Sequence, residues 1–260
     1  MAWLYLAEEP GALGAAPGEA PAIGATAAVT GAEAHHASTV ARVREGEVIE
    51  IADGRGTAVR GPVVRSARDR VEVRVESVRR EPEASPRIEL VQALAKGGRD
   101  EMAIQAATEL GVQGVVPWQA ARSVSRWNAA KADKGRERWA AIVREAAKQS
   151  LRASVPTVEP LADLAALEAL AAGGEALVVV LEPDADRTLV EACAPDGPIR
   201  GARRVLLVVG PEGGVAEHEL ERLVAVGALP VRLGTPVLRT STAGPAALAA
   251  LGALLGRWDG

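Results

Sequence analysis

The chain has 260 residues, 48% of them hydrophobic, a formal net charge of −4 and a single cysteine, Cys193. That length allows one large domain or two smaller ones, and no run approaches the ~20 apolar residues of a membrane span. One cysteine excludes an internal disulfide and a cysteine-built zinc site and points to the reduced cytoplasm, while the opening MAWLYLAEEP has no basic n-region and does not read as a secretory signal.

In chain order, residues 1–78 are β-like. WLYL, EVIEIA, TAVRGPVV and VEVRVESV are short, valine-enriched runs with partial alternation, and DGRG at 53–56 is a turn signal between two of them. With no Phe and one Tyr, the core is expected from Val, Leu and Ala. Regularly spaced short strands suggest a small barrel. RREPEASPR, residues 79–87, carries two prolines and mixed charge and reads as the linker to a second domain spanning 88–260.

There the rhythm changes. IELVQAL reads as a strand, Asp100 to Leu110 as a helix stopped by Gly111, and GVVPW as a strand. Asn128 to Gln149 reads as a long basic helix and LADLAALEALAA as another. ALVVVLEP and VLLVVGPEGG are buried strands, VAEHELERLVAVG a helix closed by Gly227, PVRLG a strand, and residues 244 to 257 the last helix. Near-continuous apolar strands alternating with helices define an α/β domain with a parallel sheet.

Charge is unevenly spread. His35 to Arg80 holds ten Arg against seven acids, Ala120 to Arg152 nine Lys plus Arg against three acids, and Ala153 to Pro230 five basic residues against thirteen acids. Such asymmetry fits a polyanion-binding face as well as solvated helix faces.

Three strands end alike, in loops around residues 181–183, 210–214 and 234–242. Ligands bind at the carboxyl ends of strands in open α/β sheets, so these loops are expected to share one pocket. The G-x-G-x-x-G, P-loop and G-x-S-x-G patterns are absent. His35 and His36 have no evident third ligand, so no metal is expected. In GPEGG, Glu212 either caps the helix starting near Val215 or faces the pocket.

KGGRDEMAIQAATELGVQGVVPWQAARSV, EAAKQSLRASVP, VVVLEP, VVGPEGGVAEHEL and LGTPVLRTSTA follow one another in this order. Together they resemble the RsmE family, bacterial 16S ribosomal RNA uridine N3-methyltransferases of the SPOUT (trefoil-knotted) superfamily. HHASTVARVREGEVIEIADGRG resembles that family's PUA-like RNA-binding barrel. The resemblance implies a knotted α/β methyltransferase domain with a parallel sheet behind the small β-barrel, and S-adenosylmethionine held bent against the knot. It implies a homodimer acting in the cytoplasm on 16S rRNA within the assembled small subunit, with no metal and no membrane.

Carried onto this chain, the cofactor residues are Leu181, Glu182, Pro183, Gly210, Pro211, Glu212, Gly213, Leu233, Gly234, Val237, Leu238, Thr242 and Ala243. Arg239, Glu212 and Thr240 are the catalytic candidates: a cation for the uridine anion, a base and a hydrogen-bonding hydroxyl. Thr242 also reads strongly as the N-cap of the last helix, with Pro245 in its first turn. RNA contacts are expected from His36, Arg42, Arg99, Arg122, Gln149 and Arg152. The chain departs from the family pattern at Pro236, where an Arg is usual, and at Ser241, where a Glu is usual. A 2′-O-ribose methyltransferase and a non-catalytic RNA binder are the alternatives.

Overall fold

Asp53 makes the first hairpin. Its Oδ1 accepts the N–H of Arg55 at 2.7 Å and of Thr57 at 3.0 Å, and Gly54 and Gly56 take the left-handed φ that the DGRG turn requires. The turn belongs to the first of two compact units in the computed structural model, which describes residues 4–258 apart from 8, 10 and 16–18. That unit comprises the chain up to Pro82 together with Ala147–Val155; the second comprises Glu83–Ala146 and Pro156 onward.

The first unit holds β1 (Leu4–Leu6), β2 (Thr26–Thr30), α1 (Gly31–His35), a π-helical turn (His36–Val40), β3 (Val48–Ala52), β4 (Thr57–Ser66), β5 (Arg70–Arg74) and β6 (Ser77–Arg80). They form one sheet in the order β1-β3-β4-β5-β2, with β6 on β4. Trp3 of the WLYL run lies outside the described residues. VEVRVESV is not one strand: Arg70–Arg74 pairs with β2 and the end of β4, and Ser77–Arg80 pairs with the beginning of β4. Gly61 lets these pairings meet, since a Cβ there would fall 1.8 Å from the Arg74 carbonyl oxygen. Val29, Ile49, Ile51, Val59, Val71 and Val73 fill the core.

Ala147–Val155 is fastened within this unit. The Glu81 carboxylate accepts the N–H groups of Ala153 (2.5 Å) and Ser154 (3.1 Å) and the Ser154 hydroxyl (2.5 Å). Lys148 and Glu33 form a largely buried ion pair at 2.9 Å. The 79–87 stretch is shorter as a connection than the sequence suggests, because its first two residues end β6 and its last opens β7.

The second unit runs β7 (Arg87–Ala93), α2 (Arg99–Glu109), β8 (Gly114–Trp118), α3 (Ala129–Gln149), β9 (Thr157–Val158), α4 (Leu164–Ala172), β10 (Leu177–Leu181), α5 (Leu189–Ala192), α6 (Pro198–Gly201), β11 (Arg204–Val209), α7 (Glu217–Ala225), β12 (Leu229–Val231) and α8 (Thr240–Leu254). The end of α3, from Ala147, counts with the first unit. Every strand pair in the sheet β12-β10-β11-β7-β8-β9 is parallel. Such a sheet is buried on both faces, which is why its strands read as continuous apolar runs.

After β9 the chain crosses to the other side of β7, and after the edge strand β12 it returns to the middle, where α8 lies against β7, β11 and α2. Gly244 permits that approach, since a Cβ would meet Leu90 Cδ1 at 2.9 Å. Helix α8 starts at Thr240 rather than 244, and its N-cap residue is Arg239, so Thr242 is not the cap and Pro245 lies inside the helix.

Candidate active site

The carboxyl ends of β12, β10 and β11, three neighbouring strands, open into one cavity of about 570 Å³. The end of β10 and the loop after it supply Leu181, Glu182 and Pro183, and the end of β11 and the loop after it supply Val209 through Val215. The loop after β12 supplies Leu233, Gly234, Pro236, Val237, Leu238 and Arg239, with Thr240 and Ala243 from α8. Arg99, at the start of α2, and Arg122, after β8, complete the lining. The three loops singled out in the sequence thus do converge. Of the thirteen expected cofactor residues, Thr242 alone is outside the lining; it is exposed in the first turn of α8.

Backbone crowding shapes the GPEGG loop. A Cβ on Gly210 would lie 2.9 Å from the Val215 nitrogen and 3.1 Å from the Gly214 carbonyl carbon, so the loop folds back on itself only with glycine there. Arg122 braces it from outside, Nη1 donating to the carbonyl oxygens of Gly213 (2.9 Å) and Val215 (3.3 Å). Glu219 braces it from below. Its buried carboxylate accepts the N–H of Ala216 at 3.1 Å, capping α7, and the N–H of Ala121 at 2.8 Å, tying in the loop that carries Arg122.

Glu212 does not cap α7. Its Oε1 accepts from Arg99 Nη1 at 2.8 Å and from the Lys96 N–H at 3.3 Å. Burial pushes the carboxyl up, but the bonds from its own backbone N–H, from Arg99 and from Lys96 outweigh it and hold the group below its ordinary value. A carboxylate so held is a weak proton acceptor. Thr240 is 5% exposed, and its hydroxyl is turned inward, donating to the Gly210 carbonyl oxygen at 2.7 Å and accepting from Gln92 Nε2 at 2.9 Å. Arg239 is exposed on the rim, and among the described residues its guanidinium has no hydrogen-bond or ion-pair partner.

The other expected RNA contacts lie in the first unit. His36 is exposed, with its ring 6.2 Å from that of Tyr5. Arg42 is exposed and adopts a left-handed φ of 56°, uncommon for a residue with a side chain. Gln149 is exposed at the end of α3. Arg152 is half-buried and turned to protein groups: Nη2 donates to Ser154 Oγ at 3.3 Å, and burial lowers its pKa against the opposing pull of Glu81. Gln92 and Glu219 were not singled out in the sequence. A lone Gln in the apolar run IELVQAL was the available sign for the first, and Glu four residues after Val215 for the second.

The chain thus holds a parallel α/β unit with a strand-end cavity and a separate unit built mainly of β-strands, and comparison with known proteins says what class this is. Residues 82–252 match the family model of an RNA methyltransferase domain, and residues 29–76 that of an RNA methyltransferase PUA domain. The chain is 44% identical over 244 residues to ribosomal RNA small subunit methyltransferase E of Mycobacterium bovis, covering 92% of this chain and 90% of that one. It is 35% identical over 228 residues to the Bacillus subtilis protein of the same name, covering 87% and 89%. The crystal structure of a ribosomal RNA small subunit methyltransferase E from Neisseria gonorrhoeae bound to S-adenosyl methionine superposes with a TM-score of 0.79 at 27% identity, over 98% of each chain. The protein is an RNA methyltransferase, and it belongs to the ribosomal RNA small subunit methyltransferase E family.

Proposed function

We propose that the protein methylates N3 of a uridine in the decoding region of 16S rRNA, taking the methyl group from S-adenosylmethionine bound in the strand-end cavity. The observation that carries this reading is the convergence of three strand-end loops around a cavity with an unpartnered arginine on its rim. Its volume lies in the ~300–1,000 Å³ range of small-molecule sites. The residues fit the cofactor. Leu181, Leu233, Val237 and Leu238 give apolar walls for an adenine, and Gly210, Gly213 and Gly234 expose backbone for its hydrogen bonds. The bound cofactor supplies an electrophilic methyl on a sulfonium.

The remaining chemistry belongs to the chain. Uridine N3 carries a proton and becomes nucleophilic as that proton leaves, so the developing anion needs a cation. Among the described residues that line the cavity, Arg99 and Arg122 are engaged and Arg239 is the cation left to supply it. Glu212 serves by holding Arg99 at the cavity edge, where its positive charge faces the RNA, and the proton leaves to water. Arg122 keeps the 213–215 backbone against the cofactor. The PUA region, with the exposed Arg42 and His36, grips RNA phosphates, and the substrate is the small ribosomal subunit in the cytoplasm.

We read the second unit as trefoil-knotted. The return of the chain from edge strand β12 to lie against β7 and β11 supports this. The enzyme then works as a homodimer, with the exposed Val237 and Leu238 covered by the partner. Calorimetric titration of the purified protein with S-adenosylmethionine tests the cofactor assignment. Binding of one cofactor per chain is expected, and absence of binding refutes it.

A further inference from the structure

Gln92 is the penultimate residue of the central strand β7, between the apolar Val91 and Ala93, is fully buried, and lies 148 residues from Thr240 in sequence. Its Nε2 donates twice, to the Ala93 carbonyl oxygen at 3.2 Å and to Thr240 Oγ1 at 2.9 Å. Its Oε1 is buried with no hydrogen-bond partner among the described residues. A leucine or methionine would fill the same space and leave no orphan acceptor, so the carboxamide is present for its donor side.

The chemistry of the donors fixes how this group acts. A carbonyl oxygen only accepts, so the Ala93 carbonyl requires that the nitrogen end of the carboxamide face it, and the same nitrogen then meets Thr240 Oγ1. A hydroxyl has one hydrogen. Gln92 donates to the oxygen, so that hydrogen is not spent toward the carboxamide and goes to the Gly210 carbonyl oxygen, 2.7 Å away. Thr240 closes the loop that carries Leu233 to Arg239, and Gly210 opens the loop that carries Glu212 and Gly213. One buried hydroxyl, aimed by one carboxamide, therefore joins two of the three cavity walls. Thr235 to Leu238, between the ends of the first of these loops, are all exposed.

We propose that Gln92 is a positioning residue for methyl transfer: it orients the Thr240 hydroxyl and so sets the spacing of the two loops between which the cofactor binds. The inference rests on reading the cavity as the S-adenosylmethionine site. Gln92 touches neither cofactor nor RNA; it acts through Thr240. A glutamine placed only to fill the core would affect melting without affecting the cofactor, whereas a positioning glutamine affects the cofactor through one hydroxyl.

The test is cofactor binding by calorimetry and melting temperature for the full chain, for Q92M, for T240V, which keeps the shape of threonine without its hydroxyl, for T240S, which restores it, and for Q92M/T240V. We expect Q92M and T240V each to weaken S-adenosylmethionine binding about tenfold or more, T240S to stay within about twofold of the parent, and the double variant to bind no worse than T240V alone. Parent-like binding by Q92M, or losses that simply add in the double variant, overturn the role of Gln92. Should Q92M fail to fold, T240V against T240S decides: equal affinities overturn the hydroxyl link. A parent protein that binds no S-adenosylmethionine overturns the reading of the cavity itself, and is distinguished by appearing before any substitution is made.

Discussion

Gly210→Ala is the sharpest probe of the cavity. The added Cβ would lie 2.9 Å from the Val215 nitrogen, 3.0 Å from Val215 Cγ2 and 3.1 Å from the Gly214 carbonyl carbon. Ordinary van der Waals separation begins near 3.4 Å, so two backbone atoms must retreat by up to about 0.5 Å. Overpacking of this kind costs ~1–3 kcal/mol, and the loss of glycine's freedom in the unfolded chain returns ~0.4–1 kcal/mol. A net destabilisation of about 1–2 kcal/mol lowers Tm by about 2–8 °C in a unit of this size. Because the displaced backbone is cavity wall, S-adenosylmethionine affinity falls about tenfold, equivalent to ~1.4 kcal/mol. Differential scanning fluorimetry and calorimetry read the two effects. Gly234→Ala is the control, since its Cβ meets only Pro236 Cδ at 3.7 Å, and its melting temperature stays within ~1 °C of the parent. A Gly210→Ala protein with parent-like melting and parent-like affinity would refute the claim that this crowded loop forms the binding wall.

The remaining predictions concern charge. Arg239→Ala leaves melting and cofactor affinity nearly unchanged but lowers the single-turnover methylation rate ~100-fold or more, the scale of one lost transition-state donor; a parallel fall of melting temperature and affinity would make Arg239 structural. Because the Glu212 carboxyl is held below its ordinary value, its pairing stabilises the fold above the unfolded carboxyl pKa of ~4.3 and is lost as pH falls through the lower folded value. The melting difference between Glu212→Gln and the parent is therefore constant from pH 6 to 8 and closes in acid, and its rate defect is independent of pH. A defect that shrinks as pH rises would instead identify Glu212 as the base. Arg42→Glu, on the exposed surface of the first unit, weakens RNA binding and flattens the slope of log affinity against log salt by roughly 0.7–0.9 for each phosphate no longer neutralised, read by filter binding across a salt series; an unchanged slope would remove Arg42 from the interface.

What could be read from the sequence was the chemistry that is local. VVGPEGG and LGTPVLRTSTA announce themselves because apolar strands run into glycine and proline, and the cavity is built from those turns. DGRG was legible for the same reason. The side-chain braces were not. Gln92 meets Thr240 across 148 residues and Glu219 meets Ala121 across 98, and no window of sequence holds both ends of either bond. The occupation of Thr240 and Glu212 was hidden likewise, because a hydroxyl or carboxylate in a pocket motif looks available until its partners are known. β2, TAAVT, was missed because alanine-rich segments have little strand preference. The membership of Ala147–Val155 in the first unit depends on Glu81, in a segment that reads as linker.

Delivery of a methyl group from this cavity to a uridine base is the activity we propose. It is tested most directly by incubating the protein with small ribosomal subunits that lack the modification and S-adenosylmethionine, then digesting the 16S rRNA to nucleosides for mass spectrometry. One new nucleoside, N3-methyluridine, is expected, formed by the parent and not by Arg239→Ala within the same time. A 2′-O-methylated nucleoside, or no methylation of the rRNA at all, would contradict it.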